Sequence, residues 1–140
     1  MKISALFDQS KDIHRPIEKV ITYGASQETR LKSEIAEYVV TDSIEDQFEI
    51  LLSKMQTAME SGGQNEVGVC VSGFYGSGKS SFTKYLGLAL DDRVRIGGTP
   101  FLSLLQERLH KPTTKALLST LATRFPAAIV MLDLASEMIA

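Results

Sequence analysis

Residues 73–80 read Gly73-Phe74-Tyr75-Gly76-Ser77-Gly78-Lys79-Ser80, which places a first glycine, a Gly-Lys pair and a hydroxyl at fixed offsets. A triphosphate crowds several negative charges together. A protein holds it by aiming many donors inward without side chains blocking the approach, and glycines meet that need. Gly73, Gly76 and Gly78 allow the backbone to wind with its N–H groups pointing in. The positive end of a following helix adds to the attraction. On this reading Phe74, Tyr75 and Ser77 contribute backbone donors and Lys79 reaches the β and γ phosphates. The Ser80 hydroxyl is a ligand of magnesium, and Ser81 donates to the α phosphate. By chance such a motif arises in roughly one chain in a few hundred of this length. Here it has the confirming context of an apolar run before it and a helical pattern after it, which a plain glycine-rich turn would lack.

Hydrolysis would need more: an acid on a neighbouring strand to hold the magnesium shell, and a group to orient water. Asp133, after the apolar run 127–132, is the candidate for that acid, the alternative being an ordinary strand-end residue. Leu134 stands where a typical ATPase of this kind has glutamate, so the catalytic residues are left unassigned. Neither His14 nor His110 has cysteine or carboxylate partners at metal-ligand spacing, and both read as structural or surface histidines. The one cysteine, Cys70, lies in an apolar run and reads as a small buried residue, which excludes an internal disulfide. Arg93, Arg95, Arg108 and Lys111 make a loosely basic stretch that a solvated face explains better than nucleic-acid contact.

The elements that position this loop follow from apolar spacing. Residues 67–72, Val67-Gly68-Val69-Cys70-Val71-Ser72, predict a strand buried on both faces, and Phe82, Tyr85, Leu86, Ala89 and Leu90 predict a helix ended by Asp91-Asp92. Upstream, Ile44, Phe48, Leu51, Leu52, Met55 and Met59 recur at helical spacing opposite a polar face, which predicts an amphipathic helix over 42–60. Asp42 and Glu45 suggest a capping box and Ser61-Gly62-Gly63 a left-handed exit. Residues 28–37 fit a short helix, with Tyr38-Val39-Val40-Thr41 able to end as a strand. Pro16 suggests a turn in an extended start to the chain. Downstream, Gly97-Gly98 predicts a turn, and Thr99 and Pro100 an N-cap and first residue for a helix showing Phe101, Leu104, Leu105 and Leu109. Pro112 is expected to end that helix. A second helix from about Thr113 stops at Pro126, before a second buried strand over 127–134.

At 140 residues and a formal net charge of -2, the chain can hold one core and carries no global basic field. There is neither a signal-peptide core at the N-terminus nor an apolar run long enough for a membrane helix, which predicts a cytoplasmic protein. The expected fold is α/β, an incomplete P-loop NTPase-type parallel sheet with a mostly helical N-terminal accessory segment. Residues 1–63 form that segment and 64–140 the first part of a P-loop domain that the sequence suggests is truncated.

The chain resembles the N-terminal end of the large P-loop ATPase of bacteriophage-exclusion (BREX) systems, the BrxC/PglY type. The likeness rests on Met1-Lys2-Ile3-Ser4 with Leu6-Phe7, Ile13 with Arg15-Pro16-Ile17, residues 37–41 and the run 71–80. It implies a cytoplasmic, AAA-like ATPase that takes ATP and Mg2+ and acts with other BREX proteins, associating with DNA through the complex. A homo-oligomer is compatible with it. The likeness further implies a longer chain with its magnesium-shell acid further on, and ATP over GTP rests on it. Residues before about 63 could then form a surface for partner subunits. Two other readings share the loop: a small-molecule kinase, which would need an arginine-dense lid that the sequence lacks, and a nucleotide-binding scaffold without turnover.

Overall fold

A computed structural model describes Ile3, Asp8, Ser10 and residues 28–62 and 68–132 of the chain. Helix α1 spans Glu28–Glu37 and α2 Asp42–Glu60, as the periodicity predicts. Between them, residues 38–41 make a connection rather than a strand. Val39 is exposed while Val40 is buried, and Tyr38 N–H returns to the Ile35 carbonyl at 3.2 Å. The α2 N-cap is Thr41, not Asp42. Its extended backbone lets the side-chain oxygen accept from Ile44 N–H at 3.3 Å, so Asp42 becomes the first helical residue. Gly62, at φ +84°, supplies the left-handed exit, and Gly63 lies outside the described residues.

The next helix, α3, spans Lys79–Leu90 and buries Tyr85, Leu86, Ala89 and Leu90, the face expected of it. A two-residue hairpin follows, β1 (Arg95–Ile96) against β2 (Thr99–Pro100), antiparallel, with Ile96 opposite Thr99. Gly97 and Gly98 turn it at φ +56° and +81°, the double left-handed geometry that matches strand twist in a tight hairpin. Thr99 and Pro100 form β2, and the N-cap of α4, Phe101–Gln106, falls on Pro100 rather than Thr99; the helix ends well before Pro112. Pro112 instead opens α5, Pro112–Arg124, at the first helical position, where its missing N–H leaves no intrahelical bond unmade.

One apolar cluster joins these helices. Phe48 and Leu52 of α2, Phe101 and Leu105 of α4, and Leu118 and Leu121 of α5 are all essentially inaccessible. α2 packs along α5 and α3 along α4, while α1 lies against β1 and α4. Aromatic contacts fix the depth: Phe48 stacks on Phe82 at 4.1 Å, and Tyr38 meets Tyr85 edge-on at 4.7 Å. The described part of the N-terminal segment thus shares its core with the loop-bearing half.

The hairpin is the only sheet among the described residues, so the expected parallel sheet is not seen there. Residues 68–72 and 126–132 form no strand and have no ladder partner among the described residues. Val69 is 65 % and Val130 80 % exposed, against an expectation of burial on both faces. Cys70 is likewise exposed, correcting its reading as a core residue. The cause is common to both runs: side chains that alternate about a strand are covered on both sides only when a sheet and two helical layers surround it. Here α3 covers one side of the second run. The Met131 and Ile129 side chains approach Gly87 so closely that a Cβ there would stand 3.1 and 3.4 Å from them.

Candidate phosphate-binding site

The loop 73–78 joins residues 68–72, which form no strand, to the N-terminus of α3. Gly78 is the N-cap of α3 in the left-handed region (φ +85°, ψ 13°), and Gly76 is also left-handed at φ +77°. Both conformations strain an L-residue with a Cβ. A Cβ at Gly73 would stand 2.9 Å from Ser77 Oγ, so that side chain would have to shift, and 3.7 Å from the Lys79 stem.

No side chain caps the N-terminus of α3, and its ladder begins with Phe82 N–H to the Gly78 carbonyl at 2.9 Å. The N–H groups of the first turn therefore project into the loop, where helix polarity favours an anion. Lys79 bends back into the same space. Its Nζ donates to the carbonyls of Gly73 at 2.9 Å and Phe74 at 2.7 Å. An ammonium held by two neutral carbonyls has no countercharge there, and an anion in the loop would supply one. Ser77 N–H closes the turn onto the Phe74 carbonyl at 3.2 Å, leaving Phe74 and Tyr75 at the tip with their rings almost wholly exposed. Ser80 is exposed on the first turn of α3, and Ser81, beside it, is half-buried.

Of the backbone donors expected of the loop, Ser77 N–H is thus taken up by the Phe74 carbonyl. Asp133 and Leu134 lie outside the described residues, as does His14. Among the described residues no group of three His, Cys, Asp or Glu side chains could hold a metal ion. The basic stretch is engaged within the fold. Arg93 pairs with Asp91 at 2.6 Å, Arg95 donates to the Gly98 carbonyl, Arg108 to the Ala36 carbonyl, and Lys111 pairs with Asp46 and Glu49.

Two supporting residues were not legible as such. Asp91, at the C-cap of α3, accepts from Arg93 at 2.8 and 2.6 Å and from Ile129 N–H at 3.3 Å, which ties the run 126–132 to the helix that carries Lys79. The Arg93 guanidinium holds its carboxyl well below the usual carboxylate range, despite burial, which acts the other way. Glu45 is completely buried, and its carboxylate accepts from His110 N–H and Lys111 N–H at 2.6–3.0 Å, so it caps α5 rather than its own helix. A signal existed: Glu45 lies three and seven residues before Phe48 and Leu52, on the face those residues turn to the core.

No protein-family model matches this chain, and no solved structure matches it.

Proposed function

We propose that this chain binds a nucleoside triphosphate with magnesium through residues 73–81, as the nucleotide-binding part of an AAA-like ATPase of the BREX type. The observation that carries the reading is the meeting of the Lys79 ammonium with the uncapped first turn of α3 inside a loop shaped by Gly73, Gly76 and Gly78. Loop N–H groups would surround the β phosphate, Lys79 would turn from the two carbonyls to the β and γ oxygens, and Ser81 would donate at the α phosphate. Ser80 would hold the magnesium ion, whose chemistry is to neutralise charge between the β and γ phosphates.

Hydrolysis belongs to the same proposal, with Asp133 as the residue to test for the magnesium shell. The assignment of ATP, of cytoplasmic BREX partners and of DNA association through their complex rests on the resemblance of the four sequence blocks. Compatible with a cytoplasmic protein, no helix among the described residues is long and apolar enough to cross a membrane.

Calorimetry of ATP with magnesium on the wild-type chain and on Lys79→Ala tests the reading. Loss of a charge-assisted contact of about 1.5–3 kcal/mol should weaken binding by roughly tenfold to a hundredfold. Equal affinity in the two chains, with both folded by circular dichroism, would remove the loop as the binding site.

A further inference from the structure

A groove of about 1500 Å3 runs between α2 and residues 68–73 and opens onto the phosphate loop, with Gly73, Ser77, Gly78 and Lys79 at its lip. Its α2 wall presents Ile44, Gln47, Leu51 and Met55, and Phe82 forms part of the α3 side. Ile44, Gln47 and Leu51, spaced three and four residues apart, share one face of α2 and line the same groove as the loop residues Gly73, Ser77, Gly78 and Lys79.

A triphosphate seated in a loop carries its nucleoside on the α phosphate, and the nucleoside must lie in space continuous with the loop. The groove is such a space, more than large enough for a nucleoside, and it offers both apolar side chains and polar ones such as Ser43, Gln47 and Lys54. We infer that the groove receives the nucleoside of the bound nucleotide, with the base against Ile44 and Leu51 and its edge read by the Gln47 amide. The inference rests on the phosphate-binding reading of the loop.

Gln47 selects a base class by its chemistry. A primary amide offers one donor group and one acceptor side by side, which matches the adjacent N7 acceptor and N6 amino donor of adenine; guanine offers two acceptors there and suits arginine or lysine. Lys54 also lines the groove, but it is two turns further along α2, about 10 Å from Gln47. Tyr38 lines it too, and burial pushes its phenol up to about 12, so the hydroxyl remains a donor at neutral pH.

The test is calorimetry on the full chain with magnesium, comparing ATP, GTP and inorganic tripolyphosphate across wild type, Gln47→Ala, Gln47→Arg and Lys79→Ala. Gln47 is exposed, so its variants should keep the fold, which circular dichroism checks. The expected result is ATP about tenfold or more tighter than both tripolyphosphate and GTP. Gln47→Ala should bring ATP to the level of GTP with tripolyphosphate unchanged, and Gln47→Arg should shift preference toward GTP. Equal affinity for ATP and tripolyphosphate, both lost in Lys79→Ala, would overturn the groove while leaving the loop intact. An ATP to GTP ratio unmoved by Gln47→Ala would overturn the assignment of Gln47. Binding of none of the three, or binding indifferent to Lys79→Ala, is instead the failure of the loop reading, and the groove assignment falls with it.

Discussion

Three residues carry separable effects. At Gly73 an added Cβ meets Ser77 Oγ at 2.9 Å, inside the turn that presents Lys79, so Gly73→Ala should weaken ATP binding about tenfold or more while the helices persist. Calorimetry beside far-ultraviolet circular dichroism reads both. Thr114 is fully buried and its Oγ1 has no hydrogen-bond partner among the described residues. Thr114→Val keeps the shape and removes the desolvated hydroxyl, so urea unfolding should show a gain of about 0.5–2 kcal/mol; a loss would mean that the hydroxyl has a partner. Asp91 has its folded-state pKa lowered, chiefly by Arg93. Its stabilising effect is therefore complete above the unfolded value, near pH 4, and is lost as the pH falls toward the folded value. Asp91→Asn should be less stable than wild type at pH 7, with the difference shrinking below pH 4 in parallel urea titrations.

At the scale of elements, α5 begins on a proline and has no side-chain cap of its own, so the distant Glu45 does that work from α2. Removing the carboxylate leaves the partly buried N–H groups of His110 and Lys111 without that acceptor. Glu45→Ala should cost about 1–3 kcal/mol in thermal or chemical unfolding. The capping box suggested by Asp42 and Glu45 was a reasonable local inference, overridden because burying Glu45 satisfies donors that local sequence does not display. The two apolar runs differ from the helices in having no ladder. Amides of residues 68–72 should accordingly exchange with solvent far faster than those in the middle of α2 and α3, which mass spectrometry of deuterium uptake would resolve.

Over the whole molecule, helices from both halves of the chain close one core, yet Val69, Val71, Val130 and Leu132 remain on the surface. Exposed apolar runs that no element covers are prone to associate with one another. The sedimentation coefficient of the chain should rise with concentration. A Val69→Lys, Val130→Lys double variant should suppress that rise without lowering helix content; a concentration-independent wild type would show that these faces do not associate.

What the sequence determined by itself was local. The stripe of Phe48, Leu52 and Met55 places α2 at 42–60, the spacing of Tyr85, Leu86 and Ala89 places α3, and two adjacent glycines place the turn at 97–98, because each depends on neighbours within a few residues. The glycine, lysine and serine offsets of 73–80 determine the loop in the same way. The tertiary structure alone decided what long-range partners decide. Glu45 caps a helix more than sixty residues away, four cations bond to carbonyls and carboxylates of the fold, and a groove forms beside Gln47. The fate of residues 68–72 and 127–132 was also decided there: β-branched apolar composition favours an extended chain, but burial requires strands and helices on every side, and composition cannot supply those.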